Sequence, residues 1–236
     1  MSERGSGGIF VTGTDTGVGK TVVTASLVAE LRRRGHDAGA MKPVETGIDP
    51  AADPALRDAE RLRRAAGAVD PPELVCPLTL REPLAPSVAA RLEGREVELE
   101  PLFAAYRELR RRHDLLFVEG AGGLGVPLRD DYLMSDLARD LELPVLVVAR
   151  PSLGTINHTL LTVRFARSAG LRVMGVVISG YPDDPDLAER TSPAEIERLA
   201  GTPILGIVPR FPQADRQPAP LDGSPLPDAV LEALFR

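Results

Sequence analysis

Residues 9–21 read Ile-Phe-Val-Thr-Gly-Thr-Asp-Thr-Gly-Val-Gly-Lys-Thr: a short apolar run, a glycine-rich turn and a Lys-Thr pair. An apolar strand that passes through such a turn into Gly-Lys-Thr and a helical pattern is the context of a phosphate-binding loop. Glycines let backbone N–H groups turn inward around an anion, and the helix N-terminus adds partial positive charge. Gly17, Val18, Gly19, Lys20, Thr21 and Val22 are therefore candidate nucleotide-binding residues. Lys20 would reach the β- and γ-phosphates, and the Thr21 hydroxyl would ligate Mg²⁺. The alternative is an ordinary glycine-rich turn that opens a helix. One irregularity stands out: the first glycine of the usual GxxxxGK[ST] spacing would fall at Thr14, and Gly13 lies one residue earlier.

The second candidate comes from composition. The chain has 28 basic residues, of which only Lys20 and Lys42 are lysines. Lysine is kept where a compact, flexible ammonium is required and a planar guanidinium would not serve. Since Lys20 belongs to the phosphate loop, Lys42 becomes a candidate for chemistry; chance retention at the end of a strand is the alternative. Lys42 opens Lys-Pro-Val-Glu-Thr-Gly, in which Pro43 stiffens the chain and Thr46 offers a hydroxyl. A third candidate is Glu119, the carboxylate that ends the apolar run Leu-Leu-Phe-Val and precedes Gly120, Ala121, Gly122 and Gly123. A carboxylate at a strand tip is a Walker-B-like arrangement suited to Mg²⁺, held directly or through water. From spacing alone, Asp58 reads as a helix N-terminal carboxylate of local use. Gly154-Thr155 precedes a helical pattern, so its free N–H groups could receive an anion.

The elements that must position these groups alternate along the chain. Strands are expected over 8–12, 38–42, 115–119, 145–149, 173–179 and 204–208. Helices are expected over 20–34, 54–66, 99–112, 134–141, 155–168 and 193–200, with a short one over 227–235. Strands alternating with helices imply βαβ units and a parallel sheet, and runs such as Val-Leu-Val-Val suit strands covered on both faces. The expected fold is α/β: one domain spanning 1–236, with a mostly parallel, doubly wound sheet and helices on both faces. Ligands collect outside the carboxyl ends of such strands. The proline-punctuated stretches 71–86 and 209–227 are expected as surface loops lining that crevice.

Composition excludes several classes of function. A net charge of −6 leaves no basic excess to offset nucleic-acid phosphates. The arginine triplets at 32–34 and 110–112 end helical patterns, where cations suit the helix dipole, and are expected to be solvated. Cys76 is alone, so a disulfide framework or multi-thiolate metal site is not expected. No apolar stretch approaches the length of a membrane span, and no secretory leader is evident. A cytoplasmic protein without nucleic-acid or membrane partners is the expectation. His36, His113 and His158 are expected to be structural or incidental.

Taken together, the segments from Gly13 to Thr21, Lys42 to Gly47, Glu119 to Gly123 and Gly154 to Thr162 resemble dethiobiotin synthetase in order and approximate spacing. The resemblance covers residues 8–210, and residues 83–90 resemble that family's proline-containing substrate loop. It implies an ATP- and Mg²⁺-dependent ring closure in biotin synthesis. CO₂ and 7,8-diaminopelargonate form a carbamate, ATP phosphorylates it, and the second amine closes the ureido ring. By the same resemblance, Lys42 is the catalytic lysine, acting with Lys20. Thr21, Asp58 and Glu119 match metal positions, while Thr16, Thr46 and Gly122 match positions around the diamine. Gly154 and Asn157 would reach the substrate from the partner subunit of a homodimer. Glu119, Gly120, Ala121, Gly122, Ser179, Gly180, Pro209, Arg210 and Phe211 complete the nucleotide-binding set.

The sequence departs from the family at Ser179, where an asparagine usually reads the adenine edge. A hydroxyl is a shorter and less selective partner than a side-chain amide, so a relaxed nucleotide preference is expected. Three other readings compete, of which a noncatalytic nucleotide-binding module would not need the Lys42 and Thr46 arrangement. A partitioning or division-site ATPase switch of the ParA/MinD type commonly carries an extra lysine early in the loop, and Thr14-Asp15-Thr16 has none. A cobyrinate-type amidotransferase needs a glutaminase domain for which the chain is too short.

Overall fold

The computed structural model describes residues 7–210, 221 and 224–234. The chain begins β1 (Gly7–Gly13), α1 (Lys20–Arg33), β2 (Ala38–Met41), β3 (Val44–Glu45), a 3₁₀ turn (Pro54–Leu56) and α2 (Asp58–Ala65). It continues with α3 (Pro72–Val75), β4 (Leu78–Thr79), α4 (Pro86–Leu92), α5 (Leu99–Arg112), β5 (Leu115–Glu119), β6 (Pro127–Arg129) and β7 (Tyr132–Leu133). Then come α6 (Met134–Asp140), β8 (Val145–Ala149), α7 (Thr155–Ser168), β9 (Val173–Tyr181), α8 (Leu187–Ala200), β10 (Ile204–Pro209) and α9 (Leu226–Leu234).

Six strands form the central sheet in the order β10-β9-β8-β1-β5-β2, all parallel. Two small two-stranded sheets, β3-β4 and β6-β7, lie outside it. Strand alternation sends side chains to two cores. Phe10, Val118, Val147 and Val176 pack with Leu102, Leu109, Leu137, Val163 and Ile196 from α5 to α8. Ile9, Val11, Phe117, Val148 and Val177 face Val23, Leu27, Leu31, Leu62 and Val230 from α1, α2 and α9. Burial on both faces explains why these strands are apolar throughout. The expected doubly wound α/β fold is therefore present, and β5, β8, α5 and α7 have the bounds read from the sequence.

Three expected element bounds differ from the structure. Lys42 lies one residue past β2, because Pro43 cannot continue a ladder; the Lys42 N–H donates instead to Val75 O at 2.7 Å. The helix expected over 54–66 is broken at Arg57, which is extended (φ −70°, ψ 143°), so that α2 starts at Asp58. The helix expected from 193 begins at Leu187, capped reciprocally by Asp186 and Glu189. Pro193 lies within it, and the Tyr181 hydroxyl takes the Glu189 carbonyl at 3.1 Å.

The stretch 71–86 is not simply loop: it contains α3 and β4, and Pro86 opens α4. Pro72 and Pro86 each occupy the first helical position, where the missing N–H costs no hydrogen bond. Most of 209–227 lies outside the described residues.

The arginine triplets end their helices facing solvent, as expected, with Arg33 61% and Arg111 75% exposed, and they also have carboxylate partners. Arg33 and Arg34 each bond Glu30 at 2.7 Å, and these bonds hold the Glu30 carboxyl down at about 2. Arg34 also reaches Asp228 at 2.9 Å, while Arg110 donates to Gly7 O at 3.1 Å. His113 is structural, as expected: its buried ring lies between Asp37 Oδ1 (2.8 Å) and Asp70 Oδ2 (2.7 Å). The ring packs against Gly39, where a Cβ would approach it to 2.3 Å. Among the described residues, no helix is long and apolar enough to cross a membrane.

Candidate active site

The parallel register places Val11 beside Glu119 and Gly13 beside Val148, so the loop after β1 emerges between two strand ends. Gly19 starts α1 with φ 94°, a conformation that disfavours a side chain, and a Cβ there would lie 2.4 Å from Ser179 Oγ. At Gly13 a Cβ would meet Asp15 O at 2.6 Å and Lys20 Nζ at 3.0 Å. Gly13 thus makes the room that the displaced first glycine must provide. Thr14 donates its N–H to Val148 O at 2.9 Å, and its hydroxyl is buried without a partner.

Both lysines are buried, Lys20 being 7% exposed and Lys42 5%. Lys20 Nζ folds back onto Asp15 O at 3.2 Å. Burial, and then the Lys42 charge, push the Lys20 ammonium below its ordinary pKa. Lys42 Nζ donates to Glu119 Oε1 at 2.5 Å and lies 3.6 Å from Asp58 Oδ2. Burial alone would lower its pKa, but the Glu119 and Asp58 carboxylates outweigh that effect and raise it. Lys42 is therefore a fixed cation in this state. Glu119 is fully buried; its Oε1 also accepts from Thr21 Oγ1 at 2.7 Å, and its Oε2 has no partner.

These groups face a cavity of about 300 Å³. The phosphate loop supplies Thr16, Gly17, Gly19, Lys20, Thr21 and Val22; Lys42, Thr46 and Asp58 come from the far side, and Glu119, Ala121 and Gly122 close the floor. Gly120 lies behind this floor, where a Cβ would sit 2.9 Å from the Phe10 ring. A second cavity of about 820 Å³ shares Gly17, Gly19 and Val22 with the first. It extends past Val18, Ser179 and Gly180 to Pro209 and Arg210. The pair of cavities could hold a triphosphate at one end and a base at the other. Phe211 lies outside the described residues.

Gly154 and Asn157, at the exposed start of α7, line neither cavity. Residues 71–86 do not reach the phosphate cavity either. They are tied to the site through backbone: Lys42 N donates to Val75 O at 2.7 Å, Leu80 N to Glu45 O at 2.9 Å and Gly47 N to Glu82 O at 3.1 Å. Ser87 and Ala90 of α4 line a separate cavity of about 280 Å³ with Arg91, Arg95 and Arg129.

The sequence reading assigned no site role to Glu45 and Arg61, which line the phosphate cavity, or to Arg150 and Asp183, which line the larger one. Glu45 carries no signal beyond its place in Lys-Pro-Val-Glu-Thr-Gly. For the arginines, charge abundance hid any signal.

The donor set suits a hard cation. Thr21 Oγ1, Glu119 and Asp58 are oxygen donors, and the orphaned Glu119 Oε2 is buried beside them. Among the described residues, no cluster of three or more His, Cys, Asp or Glu side chains forms a self-sufficient cage. A Mg²⁺ that takes further ligands from phosphate oxygens and water needs none.

A family model described as an AAA domain matches residues 7–218. An ATP-dependent dethiobiotin synthetase of Bacillus licheniformis is 47% identical over 210 residues, 88% of this chain and 87% of its own length. One from Anaeromyxobacter sp. (strain K) is 50% identical over 212 residues, 89% of this chain and 93% of its own. Among solved structures, a ParA family ATPase from Chlorobium tepidum matches with a TM-score of 0.57 at 14% identity, covering 99% of both chains. The cell division ATPase MinD of Pyrococcus furiosus matches at 0.55 and 18%, covering 98% of this chain and 97% of its own. At such identities the structural likeness concerns the fold alone.

Proposed function

This chain belongs to the family of ATP-dependent dethiobiotin synthetases, and on that premise we propose that it forms dethiobiotin from 7,8-diaminopelargonate, CO₂ and ATP. The observation that carries the reading is the convergence of Lys42 and Thr21 on Glu119, with Asp58 beside Lys42, within one cavity that Lys20 also enters. A switch ATPase needs a phosphate loop and a metal carboxylate. A second buried lysine at the phosphoryl end is what a carbamate requires.

In the first step an amine of the diamine bonds to CO₂ and loses a proton, giving a carbamate. A carbamate oxygen then attacks the γ-phosphorus as the bond to ADP breaks. The second amine attacks the carbonyl carbon of the resulting mixed anhydride, phosphate leaves, and the ring is closed. A carbamate is a weak anionic nucleophile, so positioning and charge neutralisation supply most of the rate. Lys20 neutralises charge on the β- and γ-phosphates. Thr21, Asp58 and Glu119 would hold Mg²⁺, which would supply positive charge against the phosphates. Lys42 leaves Glu119 and follows the charge from carbamate to departing phosphate, a task for a preorganised, mobile ammonium. Thr16, Thr46 and Gly122 surround the diamine. Phosphate release that depends jointly on 7,8-diaminopelargonate and bicarbonate tests the reading; release with nucleotide alone, stimulated by DNA or membranes, would favour the ParA/MinD-type switch. This reading has the enzyme working in the cytoplasm on small molecules, with no nucleic-acid or membrane partner.

The carboxylate end of the diamine is received by Gly154 and Asn157 of a second copy, in a homodimer. Support comes from α7, where Asn157, Leu161 (58% exposed) and Phe165 (38%) recur at helical spacing on one exposed side, with Leu153 (83%) exposed just ahead of the helix. Leu161→Glu is expected to convert a dimer to monomers in sedimentation and to raise the KM for the diamine more than that for ATP. A dimer unaffected by this change would remove the face from the interface.

Nucleotide choice is expected to be relaxed. Ser179 is 5% exposed and its Oγ faces Gly19, leaving it poorly placed to read a base. One neutral hydrogen bond is worth about 0.5–1.5 kcal/mol, so kcat/KM values for ATP, CTP and GTP should differ by no more than about tenfold. A much stronger ATP preference would show that backbone groups alone select adenine.

A further inference from the structure

We propose that Glu45 is a positioning residue, which holds Asp58 at the cation end of the site through the first turn of α2. The inference rests on the metal role proposed above for Asp58. Glu45 is 6% exposed, and its side chain leaves β3 to meet the start of a helix thirteen residues further along the chain. There Oε1 accepts from the Asp58 N–H at 2.6 Å and Oε2 faces the Ala59 N–H at 3.3 Å. Residue 57, which would ordinarily cap α2, is an extended arginine whose side chain makes no cap bond. A local Ser, Thr, Asp or Asn at position 57 would cap the same turn, through its second or third N–H, without burying a carboxylate. A cap supplied from the lysine segment has a different consequence: it ties the backbone of Asp58 to the chain that carries Lys42.

That tie is stiff at the Glu45 end. Pro43 precedes β3, Val44 and Glu45 pair with Leu78 and Thr79, and Leu80 N donates to Glu45 O at 2.9 Å. At the other end, the Asp58 side chain is 41% exposed, with Lys42 at 3.6 Å and Arg61 at 3.8 Å. Beyond these two cations no side-chain partner among the described residues holds it, so its direction is set by where the first turn of α2 begins. Partners that orient metal-binding groups typically cost ten- to a hundredfold in metal affinity when removed.

The test compares the wild type with E45A, E45Q, D58N and the E45A/D58N pair. Mn²⁺ binding to the ADP complex is followed by electron paramagnetic resonance, and ADP affinity without divalent cation by calorimetry. E45A is expected to weaken Mn²⁺ binding about tenfold while ADP affinity without cation is unchanged. E45Q keeps an acceptor oxygen and should lose less. In the D58N background E45A should add nothing, as expected of two residues acting on one contact. The proposal is overturned if D58N weakens Mn²⁺ binding but E45A does not, if the two effects simply add, or if E45A lowers cation-free ADP affinity by the same factor. Unchanged Mn²⁺ binding in D58N would instead bring down the metal role of Asp58, and this proposal with it. Should E45A not fold, an E45Q protein with wild-type Mn²⁺ affinity overturns the proposal by itself.

Discussion

Lys42→Arg is expected to fold as the wild type does and to lose about a hundred- to a thousandfold in kcat, the usual range for removing one preorganised electrostatic contact. The reason is geometric. The Lys42 ammonium is buried against Glu119 Oε1 at 2.5 Å, with Asp58 at 3.6 Å. A lysine can exchange this partner for an anionic substrate by rotating its stem. A guanidinium carries five donors on a rigid planar fork and pairs with a carboxylate through two parallel bonds. Arginine at 42 would hold Glu119 too well and would crowd a cavity of about 300 Å³. Charge is conserved, so cation-free ADP affinity should stay near the wild-type value while turnover collapses. Single-turnover phosphate release with diamine and bicarbonate measures the difference. A variant with a near-normal rate would remove Lys42 from the mechanism.

The second large effect is expected at Glu119, where Glu119→Gln preserves volume and removes one charge. In the wild type, Oε1 accepts from both Thr21 and Lys42, and Oε2 is left unpartnered where a cation would be held. The amide replaces an acceptor with a donor, so Lys42 loses its nearest counter-ion while remaining buried. Breaking a buried pair from one side costs about 3–5 kcal/mol when the remaining charge cannot relax. Asp58 at 3.6 Å offsets part of that, so the loss should fall toward the lower end. Two readouts are expected to move together: Tm by several degrees, and Mg²⁺-dependent nucleotide affinity by more than about tenfold. Cation-free ADP binding should persist, because the phosphate loop is intact. Loss of Tm with unchanged Mg²⁺ dependence would make Glu119 a purely structural partner of Lys42.

Much of the arrangement was legible in the sequence because it is written locally. The strand bounds 115–119 and 145–149 and the helices over 99–112 and 155–168 follow from apolar runs and helical spacing, which depend on neighbours a few residues away. Gly-Lys-Thr after an apolar strand, a carboxylate at a strand tip, and two lysines among many arginines marked Lys20, Thr21, Lys42 and Glu119 without any knowledge of the fold. A parallel sheet then requires such strand-end residues to meet on one side.

The tertiary structure alone decided whatever depends on partners distant in sequence. Asp58 looked like the local start of a longer helix, because its capping carboxylate lies at Glu45 in another element. Its place 3.6 Å from Lys42 joins two segments that no local pattern relates. The segment 71–86 looked irregular because prolines punctuate it, yet the same prolines open α3 and α4 once the chain packs. Pro193 looked like a helix start, whereas Asp186 and Glu189 begin α8 two turns earlier and a tyrosine takes up the carbonyl left over. Likewise His113 carried no signal of its own, since Asp37 and Asp70 reach it from separate connections. Side-chain bonds to distant backbone and to distant carboxylates have no period along the chain, so folding alone brings their two ends together.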